Sequence, residues 1–343
     1  VPDAWHEAVV TAISKKGDVS SCENYRPISL LQVGYKLYAS ILLHRLKQAG
    51  AEQRIWKTQF GFKSNKGTTD ALFVARRLLD DVWASKDGQL IFLALDWAKA
   101  FDSVSPRALL EALERFGVPL QFADAVAAIY KDRQFVVRDA GNISSQHSQE
   151  FGICQGCPLS PFLFSIVMTT LLHDASANLR LLMDEPPSTR TVSELVYADD
   201  TLVVGVEPHR VHAFMMCIQE AGQNYGLAFN WRKLEVLPVR CAANIPKPDG
   251  TSIVEKDSIV YLGALLSNTG TAGPELSRRL GAARSDFRVL SRIWKHSALS
   301  RGRKLRYLKF ACLLNYFTAC TQSSLTELSF PNWMPFRQEV SDR

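Results

Sequence analysis

Residues 195–206 read Leu-Val-Tyr-Ala-Asp-Asp-Thr-Leu-Val-Val-Gly-Val. Two β-rich apolar runs, Leu195–Tyr197 and Leu202–Val206, flank Ala198-Asp199-Asp200, which predicts a tight β-hairpin with two acids at its tip. Side chains alternate across a strand, so Asp199 and Asp200 are expected to point to opposite sides, one into a site and one supporting it. A second apolar run, from Gln89 to Leu95, ends on Asp96. A carboxylate at the end of a buried strand is costly unless it is paired or holds a cation. Two such acids brought together form a hard-oxygen site suited to Mg²⁺. Taken alone, an Asp-Asp pair is more often an ordinary polar turn; what reverses that reading is the remainder of the chain.

The chain has 343 residues, enough for one large or two to three small domains with ample core. Its 47% hydrophobic and 22% charged residues are ordinary for a globular protein. A net charge of +6 points only weakly to a polyanionic partner. Seven scattered cysteines argue against a disulfide framework and for a reducing, intracellular setting. The longest apolar stretch, Pro161–Leu172, is too short to span a bilayer, so no membrane partner is expected. No basic-then-apolar leader opens the chain. A start on Val1 rather than Met suggests a piece of something longer.

Taken in order, the chain opens with the charged turn Lys15-Lys16-Gly17-Asp18 and then Asn24-Tyr-Arg-Pro-Ile-Ser-Leu30. Leu37, Ile41, Leu42 and Leu46 recur at helical spacing from Val33 onward. Gln59-Phe-Gly-Phe-Lys63 leads through a Gly-bearing turn into a helix over 71–82, with Thr68 or Thr69 as N-cap. After Asp96 the order Trp97-Ala-Lys-Ala-Phe101-Asp102 precedes a helix capped by Ser105, opened by Pro106 and stopped at Gly117. A strand over 134–138 and a Gly-Asn turn lead to Phe151-Gly-Ile-Cys-Gln-Gly-Cys-Pro-Leu-Ser-Pro161 and an apolar helix from Phe162 to about Ala175. Cys154 and Cys157 lack a second pair at zinc-ribbon spacing, so a structural or loop role is expected rather than metal binding.

Beyond the hairpin, a helix over about 208–224 leads to Gly226-Leu-Ala-Phe-Asn-Trp-Arg-Lys233-Leu-Glu235. From Pro274, Leu276, Leu280, Ala283, Phe287 and Leu290 mark one helix face. Residues 275–310 hold eleven Lys or Arg against Glu275 and Asp286, with Trp294 and Tyr307 interleaved. Such a face fits contact with a phosphate backbone, though solvated surface is the plainer alternative.

In this order, over roughly residues 2–316, the pieces resemble the reverse transcriptase domain of non-LTR (LINE-type) retrotransposons. Residues 24–30 and 59–63 are similar to the fingers motifs, Asp96–Asp102 to motif A, Gly152–Pro161 to motif B and Tyr197–Asp200 to motif C. Gly226–Glu235 is similar to motif D, and Tyr261-Leu-Gly263 to the primer grip. The resemblance implies an α+β right-hand polymerase fold, with fingers, a palm carrying an antiparallel sheet, and a helical thumb. Fingers and palm then occupy 1–265, a basic helical thumb 266–320, and 321–343 stay an unassigned tail.

The implied activity is RNA-directed DNA synthesis: two-metal nucleotidyl transfer extending a DNA primer with dNTPs on an RNA template. By resemblance, Asp96, Asp199 and Asp200 hold two Mg²⁺ ions, or Mn²⁺, and Lys233 protonates the departing pyrophosphate. Phe101 is placed as the steric gate beneath the sugar, and Gln155 and Gly156 as the loop against the nucleotide. Arg26 and Lys63 are placed as substrate-binding cations. Position 63 is Lys where the family usually has Arg, which keeps charge but gives up bidentate geometry. Near Leu313-Leu314 the chain departs from the family pattern. Two alternatives stay open: a decayed, inactive nucleic-acid-binding relic, and a group II intron maturase-type enzyme. The implied setting is a nuclear or cytoplasmic ribonucleoprotein; oligomeric state is not legible.

Overall fold

The computed structural model describes residues 1–15, 18, 20–139, 141–184, 192–296 and 298–308. The expected end of the thumb (309–320) and the tail (321–343) lie outside the described residues. Contacts divide the chain into two units. The first comprises Val1–Gly67, Phe92–Glu235 and Asn244–Val254; the second comprises Thr68–Ile91, Val236–Ala243 and the chain from Glu255.

In the first unit, β1 (Glu7–Ser14) pairs antiparallel with β2 (Tyr25–Leu30) and parallel with β4 (Gln134–Asp139). Two-residue strands β5 (Asn142–Ile143) and β6 (His147–Ser148) close onto β4. A second set of strands carries the acids: β3 (Leu90–Leu95), β8 (Asp200–Gly205) and β7 (Val192–Tyr197) lie side by side in that order. β7 and β8 are antiparallel, with Tyr197 opposite Asp200 and Val192 opposite Gly205. That register leaves Ala198-Asp199 as a two-residue turn. The expected hairpin is present, but Asp199 is a turn residue, to which strand alternation does not apply.

Helices pack these strands. α1 (Val33–Gln48) buries Tyr35, Ala39, Leu42 and Leu46. Leu37 and Ile41, expected on the apolar face, are 63% and 43% exposed, because the i, i+4, i+7, i+11 stripe begins at Tyr35 instead. α2 (Ala51–Arg54) and the short α4 (Ala100–Ser103) precede α5 (Pro106–Phe116). The Ser105 hydroxyl accepts the Ala108 N–H at 3.1 Å, and Gly117 ends α5 with φ 79°. α6 (Leu120–Tyr130) was not anticipated: Val126, Ile129 and Tyr130 are its buried positions.

α7 (Ser160–Met183) runs eight residues beyond the expected end. By length and composition it is apolar enough to cross a membrane, but 72% of its apolar window is buried within the protein. It is apolar all round because it is packed all round. α8 (Pro208–Gln223) lies against it.

In the second unit, α3 (Thr68–Ala84) takes in both proposed cap threonines as its first residues. β9 (Glu235–Val239) neighbours β10 (Val254–Glu255). β11 (Ser258–Tyr261) and β12 (Ala264–Ser267) form a hairpin around Leu262-Gly263. α9 (Gly273–Val289), α10 (Ser291–Lys295) and α11 (Arg301–Tyr307) follow.

Candidate active site

The end of β3, the β7–β8 turn and residues 228–233 meet in the first unit. The Ala98 N–H donates to the Ala228 carbonyl at 2.8 Å, and the Asn230 N–H to the Asp96 carbonyl at 2.8 Å. Trp97 and Phe229 face one another across an antiparallel bridge, ring centroids 4.5 Å apart. A turn closed by Lys233 N–H to the Asn230 carbonyl (2.9 Å) then carries Lys233 back. Its Nζ comes to 3.6 Å from Asp96 Oδ2.

Asp199 and Asp200 both feel the charge of Asp96. Burial raises the Asp199 carboxyl above its ordinary range, and the nearby Asp96 adds to the shift. Burial also raises Asp200, and with the charges of Asp199 and Asp96 pushes it up to about 6. Like charges held together resist ionisation unless a cation arrives.

Phe101 lies in α4, half-buried. One face stacks on Phe164 at 4.4 Å and 20°, and Phe62 meets it edge-on at 6.4 Å. Its backbone is tied to the loop before α7: the Ile153 N–H donates to the Phe101 carbonyl at 2.6 Å and the Gly152 N–H to the Val104 carbonyl at 2.8 Å. In the same loop the Gln155 side-chain amide donates to Asp102 Oδ1 at 2.8 Å. Burial raises the Asp102 carboxyl, while the Gln155 bond and the charges of Lys99 and Lys15 oppose the shift.

The Gln155 carbonyl accepts the Ser29 N–H at 2.7 Å. At Gly156 (φ 126°) a Cβ would stand 2.4 Å from the Ser29 carbonyl oxygen. The close approach that requires glycine here is therefore to the end of β2. Arg26 is exposed on β2 opposite Ile13. Lys63 is half-buried and its ammonium is lowered by burial, with Glu52 opposing and Lys66 adding to that shift.

A family profile described as reverse transcriptase (RNA-dependent DNA polymerase) matches residues 13–266. The chain belongs to the reverse transcriptase family. It is similar to the transposon TX1 149 kDa protein of Xenopus laevis, 29% identical over 270 residues, 78% of this chain and 20% of that one. It is also similar to the type-1 retrotransposable element R2 polyprotein of Popillia japonica, at 26% over 80% of this chain and 39% of the relative. The RNA-directed DNA polymerase of the mobile element jockey from Drosophila melanogaster is 28% identical over 68% of this chain and 25% of its own length. With these relatives, it is a reverse transcriptase domain of the non-LTR, LINE type. The chain spans between a fifth and two fifths of the length of the first two relatives.

Telomerase structures from Candida tropicalis share the fold at low identity. One, with a fragment of telomeric RNA, aligns at TM-score 0.57 and 13% identity over 99% of this chain and 57% of that one. An apo form aligns at 0.55 and 14% over 78% and 54%. The fold is thus the α+β right hand expected.

Reverse transcriptases as a family use divalent metal ions. The donor set of this reverse transcriptase domain fits such an ion. Among the described residues no three His, Cys, Asp or Glu side chains close into a ready-made cage. Asp96 lies close enough for its charge to raise the Asp199 carboxyl, and the two would offer an ion carboxylate oxygens with positions left open. Mg²⁺ favours that arrangement, binding through one or two carboxylates with substrate phosphates and water completing its shell.

Cys154 and Cys157 are both buried free thiols, as expected for a structural role. Arg133 donates to Cys154 Sγ at 3.4 Å and the Tyr35 hydroxyl to Cys157 Sγ at 3.3 Å. Arg133 is itself 2% exposed and donates to the Tyr35 hydroxyl at 3.2 Å. Nothing in the sequence distinguished this arginine, flanked by Asp132 and Gln134, from a surface cation.

The basic segment of the second unit divides. Glu275, 5% exposed, accepts from Leu265 N–H (3.0 Å), Arg278 Nε (2.7 Å) and Arg279 Nε (2.5 Å). Both arginines also donate to the Gly263 carbonyl, at 2.5 and 3.1 Å. They brace the β11–β12 hairpin, which carries the expected primer grip. Trp294, read as interleaved with the cations, is 3% exposed and packs with Leu308, Phe287, Leu290 and Ile293. An indole buried this way cannot stack on a base. Arg284, Arg288, Arg292 and Tyr307 remain exposed.

Proposed function

We propose that this domain is an RNA-directed DNA polymerase that extends a DNA primer with dNTPs on an RNA template. The observation that carries the reading is that the charge of Asp96 reaches both Asp199 and Asp200, with the Lys233 ammonium 3.6 Å from Asp96, in a chain that matches the reverse transcriptase family over residues 13–266. Asp96 and Asp199, with Asp200 adjacent, would hold two Mg²⁺ ions, or Mn²⁺. Such ions supply Lewis-acid stabilisation of the attacking and leaving oxygens of an in-line displacement.

The residues of the chain do the rest by placement. Asp102 fixes the Gln155 amide, and with it the loop against which a nucleotide would lie. The partly open face of Phe101 stands where the sugar enters and rejects a 2′-hydroxyl by volume, the group that separates RNA from DNA precursors. Lys233, 3.6 Å from Asp96, would serve as the general acid toward the leaving phosphate. Arg26 and Lys63 add positive charge on the fingers side, and Arg284, Arg288 and Arg292 line a thumb surface for the duplex. The setting that accompanies this activity is an intracellular ribonucleoprotein.

The test is primer extension on an RNA template with dNTPs and Mg²⁺. Wild-type chain should extend; Asp96→Ala and Asp199→Ala should abolish extension while nucleic-acid binding persists. Near-normal extension by either variant overturns the metal assignment. A silent wild type that still binds primer–template would favour the inactive relic.

A further inference from the structure

Gln59 is 1% exposed and touches none of the groups assigned above, yet its side-chain amide is committed to the catalytic hairpin. Oε1 accepts the Ala198 N–H at 2.9 Å and the Gly61 N–H at 2.8 Å. Nε2 donates to the Ala198 carbonyl at 3.2 Å. Both lone pairs of the oxygen are used, and both backbone polar groups of Ala198 are engaged.

Ala198 needs that engagement. It is the first residue of the two-residue turn and has φ 59°, a conformation usually given to glycine in such hairpins. For a residue with a Cβ the left-handed region is strained and persists where the surroundings over-determine it. Asp199 is the next residue, so the backbone state of Ala198 sets where that carboxylate begins.

Two further observations point the same way. Gly61 lies so near the turn that a Cβ there would be 2.4 Å from the Ala198 nitrogen. The main chain on either side of Gln59 is fastened along β7: Val196 N–H donates to the Thr58 carbonyl at 3.0 Å, and Phe60 N–H to the Val196 carbonyl at 2.7 Å. Glu194, also on β7, accepts from Thr58 Oγ1 and Trp56 Nε1, each at 2.6 Å. Residues 56–61 thus grip the strand, and the Gln59 amide grips the turn.

We propose that Gln59 is a positioning residue whose amide locks the Ala198-Asp199 turn in its left-handed state and so sets Asp199 against Asp96. The catalytic consequence rests on the polymerase reading above; the lock itself does not. An error of about 1 Å in a reacting group costs on the order of a hundredfold in rate.

The experiment uses the full chain with Gln59→Met, near in volume but without the polar atoms. Gly61→Ala reaches the same turn by steric pressure and serves if Gln59→Met folds poorly. Leu79→Ala, in the buried face of α3, is the control for general loss of stability. Amide hydrogen exchange is followed over residues 196–202, and kcat and KM for dNTP are measured by primer extension. Both turn variants should exchange faster over 196–202 and lose about a hundredfold in kcat with KM for dNTP nearly kept. Leu79→Ala should lower the melting temperature and leave both readouts close to wild type.

Unchanged exchange in the turn variants overturns the lock. Faster exchange with kcat intact overturns its catalytic role. If wild-type chain does not extend a primer, the polymerase reading fails, and exchange alone still decides the lock.

Discussion

The Lys233 ammonium stands 3.6 Å from the Asp96 carboxylate, brought there by a segment that bridges at Phe229 to Trp97, just past β3. The contact pairs the lysine with the acid, and the polymerase reading would have the same lysine give up a proton to the leaving group. The two roles separate on mutation. Lys233→Gln should lower kcat by about a hundredfold, the usual scale of a lost general acid. Divalent-ion affinity should stay level or rise slightly, because a competing cation has gone. Pre-steady-state extension paired with Mn²⁺ titration measures both. Equal loss of turnover and metal affinity would show that the lysine only organises Asp96.

Phe101 stacks on Phe164 with one face, so its removal has a structural effect beside the selective one that the polymerase reading assigns to it. Phe101→Val should lower stability by about 1–3 kcal/mol through lost packing. It should also relax discrimination against rNTPs; a loss of about 1.4 kcal/mol there is tenfold in the ratio of kcat/KM values. Single-nucleotide extension with matched dNTP and rNTP reads the second effect. Equal loss for both substrates would make Phe101 a packing residue alone.

Asp200 carries a folded-state value raised to about 6, and Asp199 is shifted in the same direction. An acid raised on folding binds its proton more tightly in the folded chain. From about pH 4 to 6 the folded state therefore holds the extra proton, and stability falls as pH rises through that window. Above it the destabilisation is complete, and a divalent ion relieves it. The Mg²⁺-induced rise in Tm should grow as pH increases through 6, since binding must displace protons below that value. Asp200→Asn should stabilise the metal-free chain at neutral pH. A Mg²⁺ effect independent of pH from 5 to 7.5 would contradict the clustered-acid electrostatics.

The cations of α9 and α10 should fall into two classes. Replacing exposed Arg284, Arg288 and Arg292 with Gln should flatten the log–log salt dependence of duplex binding by about 0.9 per lost phosphate contact. Replacing Arg278 and Arg279 should instead loosen the β11–β12 hairpin, since both are held by Glu275 and Gly263. Binding measured across a salt series, with thermal melts of the same variants, separates the classes. An unchanged slope in the triple variant would return the first group to solvated surface.

The sequence by itself determined what depends on neighbours along the chain. The hairpin, the strand ending at Asp96, and the helix bounded by Ser105 and Gly117 follow from short-range rules: alternation, capping, and a left-handed stop. The buried stripe of α1 did not, because an apolar side chain at helical spacing is as compatible with solvent as with core. Leu37 and Ile41 face solvent; Tyr35 and Ala39 face inward.

Tertiary structure alone decided which polar residues act together. Glu275 turns two of the eleven expected nucleic-acid cations into hairpin braces. Arg133 is buried beneath the Cys154–Cys157 loop, held by a tyrosine and a thiol that lie 98 and 21 residues away. Gln59 and Ala198 are 139 residues apart, and their two-bond contact exists only once residues 56–61 lie along β7. Residue type and spacing specify local conformation through steric limits on φ and ψ. A side-chain amide finds a distant backbone group only after the sheet has formed, and that pairing is written in three dimensions.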